Sequence, residues 1–519
     1  MLIKVQSATN SGLDTIGVDV EVNVANRGLP GFDIVGLPDK EVQESRERVK
    51  TAILSSKIEF PQKKITVNLA PADVPKEGSA YDLPIAVGVL ATLINCPIPE
   101  KSLFFGELSL SGDLRHTKGA LLLALFAKEK GYRSVFVPKD SANEAAIVKG
   151  VNVYPVENLL QLLAHFSGKK MIVPTTAETR PPRDSAEAGS PRASEAEFDM
   201  KDVLGQEQAK RAMEIAAAGG HNILLVGNPG AGKTMLARAL PGILPPLNEI
   251  ESLEATKIHS AAGVIPPGGA LLVIRQFRSP HHTTSPAGLI GGGSHPRPGE
   301  ISLAHRGVLF LDEFNEFPRS VLESLRQPLE DGVVMISRSQ ERVLYPARFM
   351  LVASANPCPC GYLNHPKKAC ICSIQQIKKY QKRISGPLLD RIDLHIDVPP
   401  VDVKELSENQ KASEFLEPSN VIRERVVSAR KIQNERFADD AIQVNAEMKN
   451  SHIKKYCPLK KEVEQILQQA AVKFQLSARS YLKMIKVSRT IADLADSPAI
   501  EAQHMAEALQ YRAKSYEGV

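Results

Sequence analysis

The sequence predicts an α/β protein closed by an all-helical C-terminal region. Short β-branched runs alternate with helical stretches through residues 1–399. A glycine-rich loop lies between an apolar strand and a helix-forming run in "ILLVGNPGAGKTMLARAL". Beyond residue 400, apolar residues recur at helical spacing.

At 519 residues the chain is too long for one domain. Plentiful aliphatic residues and the absence of tryptophan suit α/β or helical architecture better than a β-sandwich. A net charge of +5 permits an anionic partner, but only through a local basic patch. There is no leader at Met1 and no apolar run long enough to span a bilayer, so no membrane role is expected. Of six cysteines, four cluster between Cys358 and Cys372, which points to a metal rather than to a secreted disulfide scaffold. The expected location is cytoplasmic.

Residues 1–166 alternate strands ("IGVDVEVNVA", "KITVNLA", "SVFVP") with helices ("EVQESRERVKTAILSS", "GALLLALFAKEKG"), giving a mixed α/β domain. Residues 167–198 are rich in Pro, Ser, Ala and charge and are expected to form a flexible linker. A second α/β domain spans 199–399, and 400–519 form the helical domain, with "KKEVEQILQQAAVKF" and "SARSYLKMIKVSRTIADLAD" among its segments.

The chemistry starts at Gly227, Asn228, Pro229, Gly230, Ala231, Gly232, Lys233 and Thr234. Strand, glycine loop and helix in this order form a P-loop. Backbone N–H groups wrap the phosphates of ATP, Lys233 reaches the β/γ oxygens, and the Thr234 hydroxyl holds Mg²⁺. "GVLFLDEF" presents Asp312 and Glu313 at the end of a buried strand, Asp312 for the metal and Glu313 to polarise the attacking water. An acidic pair after a strand is by itself often only a helix N-terminus; the P-loop upstream argues for catalysis. "FMLVASANP" ends on Asn356, which can orient that water or read the γ-phosphate. Arg391 lies between Asp390 and Asp393, either a surface ion pair or an arginine finger acting in trans on a neighbouring subunit. Arg479, in the first turn of a helix, can swing onto the nucleotide.

Between the Asp-Glu strand and Asn356, "DGVVMISRSQERVLYPARFMLVASANP" reads as two short strands joined by a polar tip carrying Arg338 and Arg342. A Gly/Pro-rich loop, "FRSPHHTTSPAGLIGGGSHPRPGE", carries Arg278, His281, His282 and Arg297. For both loops the plainer alternative is packing against a neighbouring subunit. Cys358, Cys360, Cys370 and Cys372, in the loop 357–373, form a C-x-C…C-x-C set suited to structural Zn²⁺. Reduced, unmetallated thiols and an iron–sulfur cluster are the alternatives, with His365 as a reserve ligand. The adjacent "KKYQKR" suits nucleic acid or a solvated helix face.

These residues together resemble an AAA+ ATPase. "GQEQAKRAMEIAAAGGHNILLVGNPGAGKT" and "SGPLLDRID" resemble its magnesium-chelatase branch. "FRSPHHTTSPAGLIGGGSHPRPGEISLAHRGVLFLDEF" and "ANPCPCGY" are similar to the ComM/YifB family of bacterial competence proteins. The resemblance spans the whole chain except the linker. It implies a homo-oligomeric ring, a hexamer with ATP sites between subunits. It also implies a DNA motor with helicase or branch-migration activity on single-stranded and branched DNA, working beside recombination proteins during natural transformation. The helical domain would be the AAA+ lid. The inserted hairpin would project into a central channel, where Arg338 and Arg342 hold phosphates without reading bases. Arg278, His281 and His282 would line the same pore.

"DVPKEGSAYDLPIAVG" and "FGELSLSGDLRHTKGALLLALFAKEKGYRSVFVPKD" resemble the Lon-type protease domain. Laid over that family's pattern, Ala80 takes the nucleophile position and Leu123 that of the activating lysine, so no peptidase activity is expected. The alternative function is a chelatase-type motor remodelling a protein or porphyrin-metallation partner.

Overall fold

The computed structural model describes residues 2–25, 29–76, 78–94, 98–175, 198–293, 296–337, 342–400 and 416–513. The N-terminal region is built on a seven-stranded mixed sheet. Its long antiparallel pair, Leu2–Ser11 with Asp14–Val24, has Lys64–Ala70 and Gly31–Val35 on one side. Parallel strands Ser102–Phe104, Ser134–Pro138 and Asn152–Val156 lie on the other. Alternation fixes the faces: Val18, Val20, Val22 and Val24 point inward, and the polar residues between them point out. Helix Lys40–Ser55 is started by Asp39, whose carboxylate accepts from the Val42 N–H at 2.7 Å. It buries Val42, Val49 and Ile53 at helical spacing.

The chain does not leave this domain at residue 167. The Ile172 N–H donates to His165 Nδ1 at 3.0 Å and the Thr175 N–H to the Val153 carbonyl at 2.7 Å, which fastens the segment to the sheet. The remainder of the expected linker, 176–197, lies outside the described residues.

The central region is a five-stranded all-parallel sheet in the order Phe277–Arg278, Val308–Leu311, Met350–Ala355, Ile223–Gly227, Leu394–Val398. Both faces are covered, so the strands read as continuous apolar runs: every residue of Val308–Leu311 and of Met350–Ala355 is buried. Two elements stand outside the sheet. One is the hairpin Val333–Ser337 with Arg342–Pro346; the other is the short pair Gly291–Gly292 with Arg297–Pro298. The hairpin buries Val334, Ile336, Val343 and Tyr345 in one apolar cluster with Leu311, Leu351 and Ala353 of the sheet. It exposes Met335 and Leu344 on its other face.

Helices Ser419–Arg436, Lys461–Phe474, Ala478–Leu494 and Ala502–Gln510 form the C-terminal region. It is no appendage: Ile422, Val426, Val487 and Ile491 share one apolar cluster with Ile223, Leu225 and helix Glu207–Gly219. The N-terminal region docks through polar contacts. Ser260 donates to the buried Glu144 carboxylate at 2.6 Å, and the Gly268 N–H donates to the Asp140 carbonyl at 2.8 Å. Its Gly12–Leu13 turn packs on Val343 of the hairpin. Among the described residues no helix is long and apolar enough to cross a membrane.

The C-terminal helices are organised around a buried carboxylate. Asp493 accepts from Arg436 at 2.5 and 2.9 Å, from Arg489 at 3.0 Å and from Asn445 at 2.8 Å. Removing it strands two guanidinium groups away from water. Asp493→Ala is expected to cost about 3–5 kcal/mol, as breaking a buried ion pair does. The check is a lowered urea midpoint followed by helical circular dichroism.

Candidate functional site

Strand Ile223–Gly227 delivers the chain into the loop Asn228–Gly232, and helix Lys233–Ala239 leaves it. Gly230 and Gly232 adopt φ of +79° and +87°, the left-handed region that the loop's reversal requires and glycine supplies without strain. Gly227 serves another purpose: a Cβ there would meet the Val398 carbonyl oxygen at 2.3 Å, so strand packing demands glycine. Lys233 Nζ donates to the carbonyls of Gly227 at 2.6 Å and Asn228 at 3.0 Å, and to Asn356 Oδ1 at 3.2 Å. Burial lowers its pKa to about 8, against the opposing pull of Asp312 and Glu313.

Neighbouring strands bring in the acidic groups. Thr234 donates to Asp312 Oδ2 at 3.0 Å, the other Asp312 oxygen accepts from Ser354, and the Glu313 N–H donates to Asp312 Oδ1 at 3.0 Å. Glu313 is held at φ +52°, a strained backbone for a non-glycine residue, and its carboxylate is half exposed. Its facing group is His282, with Nδ1 at 3.4 Å. Asn356 closes the array from the end of Met350–Ala355. Hydroxyl, aspartate, glutamate, lysine and asparagine thus meet where the parallel strands end, the edge at which α/β sheets bind ligands.

The four cysteines converge immediately beyond. The sulfurs of Cys358, Cys360, Cys370 and Cys372 all lie within 4.8 Å of one another, with 3.4 Å between Cys358 and Cys360 and 3.6 Å between Cys358 and Cys370. A tetrahedral zinc–thiolate site with Zn–S near ~2.3 Å needs sulfurs about 3.8 Å apart, so the donor set and spacing fit that ion. Burial and the neighbouring thiols push the Cys358 thiol up to about 12, and N–H donation from Tyr362 brings Cys360 down to about 6.

Three family descriptions of magnesium-chelatase subunits match the chain in succession. They are "Subunit ChlI of Mg-chelatase" at residues 20–141, "Magnesium chelatase, subunit ChlI" at 199–406, and "Magnesium chelatase, subunit ChlI C-terminal" at 416–512. The competence protein ComM of Haemophilus influenzae is 42% identical over 98% of this chain and 97% of its own length. The chain belongs to the ComM/YifB family of magnesium-chelatase-like AAA+ proteins. The uncharacterized YifB of Escherichia coli is 41% identical over 97% of the chain and 95% of its own length. The 38 kDa magnesium-chelatase subunit of Rhodobacter capsulatus is 30% identical over 31% of the chain and 50% of its own length. AAA+ membership brings with it ATP, Mg²⁺ and ATPase chemistry.

Several expected residues of this ComM/YifB protein sit apart from its P-loop. Arg391 and Arg479 both pair with Glu330, Arg479 at 2.5 Å, and that draws the Glu330 pKa down. They lie at the start of strand Leu394–Val398, where the Asp393 carboxylate accepts from the Asn222 N–H at 3.0 Å. The P-loop leaves the opposite end of the adjacent strand, about 15 Å away at ~3.3 Å per residue. In this structure Arg479 therefore lies away from its own P-loop. It lines a charged cleft of about 800 Å³ with Arg391, Arg348, Lys483 and Lys486.

The loop residues also differ from expectation. Arg278 is paired with Glu300 through bonds of 2.6 and 2.7 Å, which brace its loop. His282 faces Glu313, while His281 is exposed and bonded to Thr283. Arg342 and Arg297 are exposed on their strands, and Arg338 lies outside the described residues. Within "KKYQKR", Tyr380 is buried and Arg383 pairs with Glu316 at 2.8 Å, so the aromatic cannot stack on bases.

One group at the site carries almost no signal in the sequence. Ser354, which holds Asp312, reads as one more residue of an apolar strand; its one signal is a hydroxyl two positions before Asn356. Asn228, expected as part of the phosphate-binding loop, also has its side chain buried against the cysteine loop.

The Lys233 value sets a pH dependence. Above about pH 8 the free site holds a growing fraction of neutral lysine, and phosphate oxygens favour the ammonium. ATP binding at pH 8.5 is therefore expected to take up protons, and affinity to fall as pH rises further. Calorimetry in two buffers of different ionisation heat reads the uptake directly.

Proposed function

We propose that this protein is an ATP-driven DNA motor, assembled as a ring, that moves branch points in recombination intermediates and promotes integration of incoming single-stranded DNA. The carrying observation is the shared packing of the hairpin and the hydrolytic strands. Val334, Ile336, Val343 and Tyr345 belong to one apolar cluster with Leu311, which precedes Asp312 and Glu313, and with Ala355, which precedes Asn356. A shift at the phosphate site has a rigid route to the hairpin, because close-packed side chains transmit displacement.

In this reading Lys233 binds the β/γ oxygens and the P-loop N–H groups wrap the phosphates. Thr234 and Asp312 would hold Mg²⁺, which neutralises phosphate charge when bound. Glu313 takes the role of polarising the attacking water, and Asn356 orients it. Arg391 and Arg479, remote from their own P-loop and side by side, serve a neighbouring subunit's γ-phosphate across the ring interface, the role of an arginine finger. A hexamer is the ring size we favour. Cys358, Cys360, Cys370 and Cys372 would hold a structural Zn²⁺, and the C-terminal helices act as the AAA+ lid.

The hairpin tip, with Arg338 and Arg342, grips the strand, and exposed His281 and Arg297 extend the surface. The N-terminal domain is a Lon-like shell without peptidase chemistry. Leu123 is buried among apolar side chains, and Ser79 donates to Glu107, with no lysine partner among its hydrogen bonds. The similarity to a relative named as a competence protein supports reading the motor as one that works in natural transformation.

The test compares ATP hydrolysis with and without single-stranded and branched DNA, in the natural chain and in Arg338→Ala/Arg342→Ala. DNA should stimulate turnover, and the double variant should lose that stimulation. Its single-strand binding should also become less salt-sensitive, by about 0.7 in log–log slope per lost phosphate contact. Stimulation by porphyrin and not by DNA would favour a chelatase-type partner instead.

A further inference from the structure

The four-cysteine loop is wired to the P-loop. Asn228 is buried, and its Nδ2 donates to the Gly361 carbonyl at 2.6 Å and to the Leu363 carbonyl at 3.3 Å, both within the loop. Gly361, at φ +80°, lies so close to Pro229 that a Cβ would come within 2.6 Å of Pro229 Cγ. The same two residues are tied to Cys358. The Leu363 N–H donates to Cys358 Sγ at 3.3 Å, and the Gly361 N–H donates to the Cys358 carbonyl at 2.9 Å. A single residue, Leu363, therefore links a candidate metal ligand through its N–H to a P-loop side chain through its carbonyl.

Packing does not hold this loop. From Cys358 to Ser373, Cys358 and Gly361 are the buried residues, and Ile371 is 87% exposed. A segment without an apolar core cannot offset its ordering entropy by burial, so a cross-link through the sulfurs must supply its shape. N–H donation to sulfur also strengthens when the sulfur is a metal-bound thiolate.

We propose that the four-cysteine loop is a metal-set latch on the P-loop. A zinc-type divalent cation on Cys358, Cys360, Cys370 and Cys372 fixes the Gly361 and Leu363 carbonyls that hold Asn228 and Pro229, and so sets the affinity of the site for nucleotide. Loss of the cation releases those carbonyls and leaves the Asn228 amide buried without partners, which favours a rearranged, weakly binding P-loop. The inference rests on the ATP and zinc sites of the proposed function, but not on DNA.

The experiment uses the full-length chain and a fluorescent ATP analogue. Zinc content is measured first, then the Kd of the analogue as purified, after removal of the metal by a chelator, and after Zn²⁺ is returned. One zinc per chain is expected, with Kd at least tenfold weaker without it and restored on re-addition. Gly361→Ala keeps all four cysteines but sets a methyl against Pro229; it should retain zinc and still lose affinity. That variant keeps the test decisive if chelation unfolds the protein. A chain that binds no zinc, a metal-free chain with Kd unchanged within twofold, or a zinc-loaded Gly361→Ala with unchanged Kd would each overturn the latch. If DNA fails to stimulate hydrolysis while zinc still controls Kd, the motor reading falls and the latch stands.

Discussion

The bond between Thr234 and Asp312 depends on two strand registers, and nearly everything else at the site depends on it. Val226 pairs with Ala355 and Leu311 with Ala353, so Gly227, Asp312 and Asn356 emerge side by side at one edge of the sheet. Side chains alternate along a strand, and a slip by one residue would turn Ser354 and the buried apolar positions to opposite faces. With the registers in place, one aspartate is held by Thr234 and Ser354, while the Lys233 ammonium lies among carbonyl oxygens at the same edge.

Much of this was legible in the sequence because it is local. The P-loop is a contiguous pattern whose glycines are dictated by backbone geometry, and Gly230 and Gly232 adopt the conformations it requires. Strand-like runs alternating with helical ones announced the α/β core, and the helical periods after residue 416 correspond to helices. Long-range side-chain choices were not legible. Arg278 could face a channel or a carboxylate, and only the fold places Glu300 beside it. Tyr380 reads as an exposed aromatic among lysines until the helix Ile374–Gln381 turns it inward. The position of Arg479 depends on how the C-terminal helices dock. Their shared cluster with Glu207–Gly219 fixes that docking, and it leaves Arg479 beside Glu330.

That docking divides the chemistry. Phosphate-binding and acidic groups occupy one edge of the sheet, and the two arginines share Glu330 at the other. In the proposed ring, each subunit would present half of a site on either side, with the charged cleft turned toward a second copy. The hairpin, packed between the sheet and the Gly12–Leu13 turn, also touches the N-terminal region. The N-terminal region thus buttresses the element proposed to grip DNA.

The central claim is that each hydrolytic site is shared between two subunits. The most direct measurement mixes two variants, Glu313→Gln and Arg391→Ala, each expected to be nearly inactive alone. In a mixed ring, the intact P-loop edge of an Arg391→Ala subunit can face the intact arginine of a Glu313→Gln subunit. The account predicts that ATP hydrolysis reappears on mixing. Continued inactivity of mixtures shown to co-assemble, or full activity of Arg391→Ala by itself, would contradict it.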